Sequence, residues 1–285
     1  MESTDKNFGQ KMMKIGVFDS GIGGFSVLGE LFKALPEATY YYVSDDAHAP
    51  YGPKSDEFIT ERAIAITQEL LNQGVQLIVV ACNTATAASI DLLREKFKDI
   101  PFVGVEPYLN AYYKMPEGLS EHEKKMMVLT TESTGKSERF KRLKDRLDPK
   151  SQIDHYSLKN LARLIEEFYY SRNSLQESEK FQKDFEEEMS FLKNKDYAFA
   201  ILGCTHYPLV RDRLEKYLGV KTISPDAHVA QRVVHLLKGE GESEKRSGSE
   251  DFYFYSSKEN QWILKKRSEL YGPFRDSFIP KSPKD

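Results

Sequence analysis

Short apolar runs alternate with stretches of helical spacing from residue 14 onward. The run KIGVFD at Lys14–Asp19 predicts a buried strand, and the SGIGG that follows it predicts a tight turn. The first half is then predicted to contain the helix Phe25–Ala34, the strand Thr39–Ser44, a helix that begins after Ser55 and ends at Gly74, the strand Val75–Ala81, the helix Ala85–Phe97 and the strand Pro101–Val105. This β-α-β-α-β order predicts a parallel sheet with helices on both faces.

The same alternation resumes after Glu106. Its predicted elements are the strand Met126–Thr131, the helix Ser137–Arg146, the strand Ile153–Tyr156, the helix Leu158–Tyr170, a charged helical stretch at Ser178–Asn194 and the buried strand Tyr197–Gly203. A polar loop is predicted at Gly239–Asp251, then a last strand at Asp251–Ser257 and a terminal helix. The pattern predicts an α/β fold of two similar lobes with mainly parallel sheets flanked by helices, preceded by a disordered tail at residues 1–13.

Composition narrows the class of protein. Hydrophobic residues make up 40% of the chain and charged residues 30%, with a formal net charge of -3, which is an ordinary balance for a soluble globular protein. The lack of a basic excess argues against a nucleic-acid partner. No apolar run approaches the roughly 20 residues that a membrane-spanning helix needs, and no secretory signal is visible. We therefore expect a cytoplasmic protein with reduced thiols.

The two cysteines of the chain occupy similar surroundings. The stretches QLIVVACNTATAA (Gln76–Ala88) and FAILGCTHYPLV (Phe199–Val210) each run from an apolar strand through one small residue to a cysteine, two polar residues and a helical pattern. In doubly wound folds, ligands bind at the carboxyl ends of the strands. Two facing lobes would then present Cys82 and Cys204 from opposite walls of a cleft. The alternative is a pair of buried, inert thiols; no metal-ligand spacing is present.

Two thiols on opposite walls suit one kind of chemistry. A cysteine near a helix N-terminus is favoured as the thiolate, and because a free thiol has a pKa of about 8.5, modest stabilisation would bring it close to working pH. Racemisation needs two acid/base groups of this kind, one to remove the α-proton and one to deliver a proton to the opposite face. A single nucleophilic cysteine with a histidine would not require the second turn.

Polar residues near the two turns are candidates for assisting roles. His206 could accept or orient the proton of Cys204, or it could be a structural histidine. Asp19 and Ser20 end the first strand at the same edge and could act there or only cap the next helix. Threonine hydroxyls could bind a substrate carboxylate or ammonium group, although isolated threonines are also common turn residues; the candidates are Thr84, Thr131, Thr134 and Thr205.

Four stretches taken together resemble the motifs of the glutamate racemases, within the aspartate/glutamate racemase superfamily. They are IGVFDSGIGG (Ile15–Gly24), PYGPKS (Pro50–Ser55), ACNTATA (Ala81–Ala87) and LGCTHYPL (Leu202–Leu209). The resemblance runs from about Lys14 to Ser257, and its specificity lies in the joint occurrence of the motifs. The histidine after the second cysteine favours glutamate, because related aspartate racemases commonly have a glutamate there.

The resemblance implies a fold, a reaction and a set of site residues. One lobe would comprise residues 14–107 joined by residues 208–285, the other residues 108–207, with the active site in the cleft between them. L- and D-glutamate would be interconverted without pyridoxal phosphate, metal or nucleotide, and D-glutamate would supply peptidoglycan synthesis. Family members are often dimers, so a homodimer is a further expectation. The implied residues are Cys82 and Cys204 as the acid/base pair, with Asp19, Ser20, Tyr51, Gly52, Asn83, Thr84, Thr205 and His206 binding substrate or assisting, and Thr131 and Thr134 kept from a further motif.

Three departures from the family pattern stand out. Where the family often has GDTARxPYG, this chain has SDDAHAPYG, so Asp46 and His48 replace a threonine and an arginine. The family's GTxxT is TTEST here, which loses the glycine. Of the family's CPxxVPLVE-like segment, only Glu166 aligns, and its role is left open.

Two other functions compete with the racemase interpretation. Gly21 and Gly23 follow a strand and Asp45 ends the next, as in a dinucleotide fingerprint, but Ser26 stands at the third glycine position and Asp19 would repel a pyrophosphate. A non-catalytic binding protein of the same fold is the second alternative, since fold alone does not guarantee activity. A racemase for another small amino acid, or a decarboxylase of similar fold, would keep the fold and change the reaction.

Overall fold

The computed structural model describes residues 13–114, 125–171, 174–237 and 249–277. The predicted tail at residues 1–13, apart from Met13, and most of the predicted loop Gly239–Asp251 lie outside these residues.

Strands of the described residues form two sheets. The first sheet has the order β10-β9-β2-β1-β3-β4 and the second the order β6-β5-β7-β8. All neighbouring strands are parallel except β9 and β10, which form an antiparallel hairpin. The strands are β1 (Lys14–Asp19), β2 (Thr39–Ser44), β3 (Leu77–Val80), β4 (Phe102–Gly104), β5 (Met126–Thr131), β6 (Ile153–Leu158), β7 (Phe199–Gly203), β8 (Lys221–Ile223), β9 (Asp251–Ser256) and β10 (Gln261–Lys266).

Helices connect most of the parallel strands. They are α1 (Phe25–Ala34), α2 (Asp56–Asn72), α3 (Asn83–Lys96), α4 (Glu132–Lys136), α5 (Glu138–Leu147), α6 (Leu161–Tyr169), α7 (Leu175–Met189), α8 (Arg211–Leu218) and α9 (Asp226–Leu237), with short 3-10 helices at Leu109–Lys114, Ser190–Leu192, Tyr207–Val210, Arg267–Glu269 and Gly272–Ser277. Among the described residues, no helix combines the length and the apolar character needed to cross a membrane. The predicted α/β fold with mainly parallel sheets flanked by helices is confirmed.

Local chemistry explains where several helices begin. The Ser55 side chain accepts a hydrogen bond from the Phe58 amide and so caps α2, as expected from the sequence. Ser174 and Glu177 form a capping box at the start of α7, which explains why this helix begins before the predicted Ser178. Cys82 itself caps α3 through its sulfur atom, so one thiol lies at a helix N-terminus.

The prediction that the strand Asp251–Ser257 is the last one and is followed directly by a helix is wrong. Residues 261–266 form β10, which pairs with β9 in an antiparallel hairpin. The apolar run Trp262, Ile263 and Leu264 suits an extended chain, and the Trp262 ring packs at 5.3 Å from that of Tyr255 across the hairpin. The indole N–H of Trp262 also donates to Glu69 of α2 at 2.6 Å, which fixes the hairpin beside the first sheet.

Two smaller differences concern the second half. Strand β6 continues through Leu158, where the sequence predicted that a helix begins, and α6 starts only at Leu161. After Cys204 the chain first forms the 3-10 helix Tyr207–Val210 and then α8. Strand β8 pairs with β7 and lies beyond residue 207, so the second sheet includes a strand from outside the predicted limits of the second lobe; the lobe limits themselves stay a prediction.

Buried side chains of both halves meet in one apolar cluster. Val17 and Leu28 from the first half share it with Leu129, Ile165 and Leu202 from the second. Burial of this apolar surface is the main favourable contribution to folding. The shared core holds the two sheets so that the ends of their strands border a common space.

Candidate active site

A cavity of about 650 Å³ lies at the carboxyl ends of β1, β3, β5 and β7. It is lined by residues from both sheets, as expected for an α/β fold in which ligands bind at this edge. All of the candidate residues except Asp19 and Thr134 line it: Ser20, Tyr51, Gly52, Cys82, Asn83, Thr84, Thr131, Cys204, Thr205 and His206. The structure therefore brings together residues that are up to 186 positions apart (20 to 206) in the chain.

Cys82 is a buried thiol at the end of β3, with 5% of its surface exposed. Its sulfur accepts a hydrogen bond from the Ala85 amide at 3.4 Å and lies 3.9 Å from the Ser20 hydroxyl. The helix N-terminus acts on this group as expected, but burial and the nearby Asp19 carboxylate outweigh it and raise the pKa of Cys82 well above its usual range. Cys82 is therefore favoured as the neutral thiol, which is a proton donor.

Asp19 lies directly behind the cavity wall and is fully buried. One of its oxygens accepts a hydrogen bond from the Gly24 amide at 2.7 Å, and the other lies 3.5 Å from the Ser20 hydroxyl. Burial raises the pKa of Asp19, while the neighbouring His206 and Cys82 act in the opposite direction. This carboxyl group thus interacts with groups beside both cysteines, although the sequence placed it only at the end of the first strand.

Cys204 is the first member of a chain of three side chains. Its sulfur lies 3.9 Å from Nδ1 of His206, and Nε2 of His206 lies 2.8 Å from a carboxylate oxygen of Glu166. Burial alone would lower the pKa of His206, but the hydrogen bonds to Cys204 and Glu166 prevail and raise it well above 6.5. A protonated imidazole ring therefore lies against the sulfur of Cys204.

The glycines of the SGIGG turn make room for this chain of side chains. A Cβ atom on Gly23 would clash with the His206 ring, and one on Gly21 would clash with the Glu166 carboxylate. The same carboxylate accepts the amide N–H of Ile22 at 3.0 Å. The turn from the first sheet is thus packed on residues that follow β6 and β7 of the second sheet.

Three threonine hydroxyls from the two halves of the chain lie within hydrogen-bond distance of one another. Thr84, at the start of α3, lies 3.2 Å from both Thr131 and Thr134 at the β5–α4 turn, and these two are 3.0 Å apart. Beside them the amide oxygen and nitrogen of Asn83 are buried without a hydrogen-bond partner. Buried polar atoms are nearly always paired, so Asn83 is available for a ligand that enters the cavity.

Tyr51 is placed by a network that the sequence did not predict. Its hydroxyl donates to Asp45 at 2.6 Å, and Arg62 donates to both oxygens of the same carboxylate. Burial would raise the pKa of Asp45, but the hydrogen bonds from Arg62 and Tyr51 hold it below its usual range. Because its hydroxyl is already donated, Tyr51 offers the cavity its ring and backbone. His48, which replaces the family's arginine, also lies against Asp45 at 3.0 Å.

Sequence reasoning left Glu166 undecided and did not single out the outer wall of the cavity. Lys159, Arg163, Tyr170 and Lys258 also line it. No local motif marks these residues, because they reach the cavity only through the packing of α6 and of the β9–β10 hairpin. Within the described part of the chain, no group of three or more His, Cys, Asp or Glu side chains is arranged to hold a metal ion.

Comparisons of this chain with a family model and with known proteins agree on one family. The family model described as Asp/Glu/Hydantoin racemase matches residues 20–233. Glutamate racemase 2 of Bacillus subtilis is 34% identical over 262 residues, which cover 91% of this chain and 95% of that protein.

Solved structures agree with this match. The glutamate racemase isoform RacE1 of Bacillus anthracis superimposes with a TM-score of 0.72 at 28% identity, covering 87% of this chain and 90% of that one. The Escherichia coli glutamate racemase, solved with L-glutamate and the activator UDP-MurNAc-Ala, gives a TM-score of 0.69 at 29% identity, covering 92% and 94%.

The contact between His206 and Glu166 predicts a titration in solution. We expect the His206 ring to titrate with a midpoint above 6.5. The midpoint should fall in Glu166→Gln, because this variant loses one of the interactions that oppose the pKa-lowering effect of burial. NMR of ring-labelled histidine measures this, with assignment from a His206→Asn variant. Glu167→Gln is the control, since Glu167 is an exposed neighbour that lines the cavity and pairs with Arg163 instead of His206. A midpoint near 6.5 that is the same in the unaltered protein and in Glu166→Gln would contradict the expectation.

The sign of the effect on stability follows from the same contact. Because the pKa of His206 is raised in the folded protein, its contribution to the free energy of unfolding is fully present below about pH 6.5 and is lost as the pH rises through the folded-state pKa. Denaturant unfolding across this range should show a smaller pH-dependent loss in Glu166→Gln than in the unaltered protein.

The SGIGG turn predicts an effect of one added methyl group. Gly23→Ala should lower the free energy of unfolding by about 1–3 kcal/mol, because its Cβ would clash with His206 and lie 2.7 Å from Asp19. Gly52→Ala is the matched control, at a glycine that lines the cavity and where a Cβ would meet no atom within 4 Å; we expect a change within about 0.5 kcal/mol. Urea denaturation compares the two, and equal losses would argue against close packing at the turn.

Proposed function

This chain belongs to the Asp/Glu/Hydantoin racemase family, with glutamate racemases as its relatives, and we propose that it interconverts L- and D-glutamate with Cys82 and Cys204 as its two acid/base groups. The observation that carries the proposal is the presence of one thiol from each sheet in the same cavity. The membership makes the protein a racemase, an isomerase. The substrate and the roles of individual residues belong to the proposal.

The reaction needs one thiolate and one thiol at the start. His206 supplies the counterion for a Cys204 thiolate, since its raised pKa keeps the ring protonated at 3.9 Å from that sulfur. Glu166 in turn holds the ring in place through the other nitrogen. Cys82 is the neutral partner, because burial and Asp19 disfavour its charged form. The two walls of the cavity are thus suited to opposite protonation states.

The proposed steps balance without any further reagent. The Cys204 thiolate takes the α-proton from the enantiomer that presents it, and the electron pair of the broken C–H bond stays on the α-carbon and its carboxylate. The Cys82 thiol then gives its proton to the opposite face, forming the new C–H bond and leaving a Cys82 thiolate. The other enantiomer runs the same path in reverse, as two-base catalysis requires. We propose that no pyridoxal phosphate, metal or nucleotide takes part.

Polar groups of the cavity suit the charged ends of an amino acid. The hydroxyls of Thr84 and Thr131 line the cavity and can donate to a carboxylate, while the buried hydroxyl of Thr134 lies within hydrogen-bond distance of both and supports them. The unpartnered amide of Asn83 can satisfy either charged end, and Thr205 lines the same cavity. The carboxyl groups of Asp19 and Glu166 lie near the thiols, where their negative charge would stabilise the ammonium group of the substrate.

The rival dinucleotide site meets an obstacle in this cavity. A bound pyrophosphate would need the amide groups of the SGIGG turn, but the Ile22 amide is donated to Glu166 and the Gly24 amide to Asp19.

We further propose that the D-glutamate formed in the cytoplasm supplies the synthesis of peptidoglycan, which maintains bacterial cell shape, as the resemblance to glutamate racemases implies.

Incubation of the reduced protein with L-glutamate in D2O tests the reaction directly. We expect α-proton exchange by NMR and a drift to equal amounts of the two enantiomers by chiral chromatography, with no added cofactor. L-Aspartate is run in parallel. Exchange of aspartate instead would move the proposal to another substrate, and no exchange of either by folded protein with free thiols would refute the proposed reaction.

Substitution of each thiol tests the two-base mechanism. Cys82→Ser and Cys204→Ser should each lower racemisation by about 10²–10⁴-fold, since each removes one acid/base group. Each variant should still exchange the α-proton of the one enantiomer that faces its remaining thiol, so the two variants should prefer opposite enantiomers. Stability should change little, and thermal unfolding checks this. Full activity in either variant would remove that cysteine from the mechanism.

A further inference from the structure

His155 lies beneath the β5–α4 turn, outside the cavity. Its Nε2 atom is 2.8 Å from the hydroxyl of Thr130 and 3.4 Å from that of Ser157. Thr130 is the residue that stands where the family's GTxxT motif has its glycine, and it is fully buried. A departure from the family pattern is therefore in direct contact with a histidine of the neighbouring strand β6.

The histidine is closely enclosed on its other sides. The ring of Phe140 packs at 4.8 Å from the imidazole ring. A Cβ atom on Gly135, in α4, would lie 2.5 Å from its Cε1 atom and 2.6 Å from Nε2. The ring thus fills the space between the end of β5 and the first turn of α4 and has little freedom to move.

The direction of the hydrogen bond can be assigned from its partners. The single hydroxyl proton of Thr130 is donated to the carbonyl of Thr131 at 2.9 Å, so Nε2 of His155 donates to Thr130 and the ring carries its proton there. Burial, with a smaller effect from Lys144, lowers the pKa of His155, and the ring is neutral at physiological pH. His155, Thr130 and Thr131 form a continuous chain of hydrogen bonds.

This series of hydrogen bonds ends at the threonine cluster, which consists of Thr84, Thr131 and Thr134. Thr131 caps α4 by accepting the amide N–H of Thr134 at 3.2 Å, and its hydroxyl lies 3.0 Å from that of Thr134 and 3.2 Å from that of Thr84. We propose that His155 is a positioning residue that, through Thr130, holds the β5–α4 turn in the geometry that binds the substrate carboxylate. The inference rests on the proposed function, because that function makes the cluster a carboxylate site.

Steady-state kinetics of a double-mutant cycle test the inference. Thr130→Val and His155→Leu should each raise KM for both enantiomers of glutamate about five-fold, as loss of one hydrogen bond predicts, with kcat within about two-fold. The double variant should show no larger rise in KM than Thr130→Val alone, because the contact between Thr130 and His155 is already absent in that single variant. Thr130→Ser and His155→Gln, which keep the hydroxyl and an N–H donor, should restore KM. Effects that multiply to about 25-fold, or that fall on kcat alone, would overturn the inference.

Tyr197→Phe is the matched control for general loss of stability. The Tyr197 hydroxyl donates to Asp154 at 2.6 Å and pairs with Tyr156, also on β6, away from the threonine cluster. We expect a lowered melting temperature with an unchanged KM in this variant. A raised KM in Tyr197→Phe would show that any loosening of β6 has the same effect, and the specific role of His155 would be rejected.

Amide hydrogen exchange over residues 126–137 provides a readout that does not require turnover. Exchange at the β5–α4 turn should be faster in His155→Leu and in Thr130→Val, and unchanged in Tyr197→Phe. Unchanged exchange in His155→Leu would overturn the inference even for a protein that racemised glutamate. Faster exchange in a protein that racemised nothing would instead mean that the proposed function had failed while the contact held.

Discussion

The contact of Glu166 with His206 and with the Ile22 amide connects the two sheets at the floor of the cavity. Glu166 belongs to α6 and His206 follows β7, whereas Ile22 lies in the turn after β1. One partly buried carboxylate thus connects the turn of the first sheet to the cysteine turn of the second. If this contact were absent, the His206 ring would lose one of the partners that, with Cys204 and Asp19, raise its pKa, and it would lose the carboxylate that holds it against the turn at Gly23. Charged groups at this depth are stable only when paired. The contact between Glu166 and His206 therefore both connects the two sheets and helps to raise the pKa of His206.

The two thiols share a cavity and differ in their surroundings. Cys82 has a buried carboxylate as its main charged neighbour, and Cys204 has a protonated imidazole ring. A symmetric pair would leave both groups in the same protonation state, whereas two-base proton transfer requires opposite states. The two cysteine turns are thus similar in sequence but differ in their charged neighbours, and this difference arises from residues distant in the chain. Asp19 acts on one side, and Glu166 acts through His206 on the other.

Much of the fold could be predicted because its central strands are continuous apolar runs. The observed bounds of β1, α1, β2 and β5 match those predicted from the sequence. The hairpin strand β10 could not be predicted in the same way, since its sequence QWILKK is short and its pairing depends on β9 and on the contact of Trp262 with Glu69. The same limit applies to the site. The residues of the cysteine turns were predicted to lie together because ligands bind at the carboxyl ends of parallel strands. The contacts of Glu166 and Asp45 could not be predicted in this way, because they depend on tertiary packing that no local pattern marks.

The departures from the family pattern lie in supporting positions, and each has a partner in this chain. Asp46 accepts hydrogen bonds from Ser256, Ser257 and the Lys258 amide, which attaches the β9–β10 hairpin beside the cavity. His48 joins Arg62 on the carboxylate that holds Tyr51.

Thr130 fills the place of a glycine and takes His155 as its neighbour. A substitution that leaves a buried polar atom unpaired costs about 1–3 kcal/mol, so such changes are tolerated where a second residue provides the missing partner. The groups proposed to handle protons have less freedom, because their pKa values depend on several neighbours at once. The residues that depart from the family pattern, Asp46, His48 and Thr130, are thus each held by a hydrogen bond within this chain.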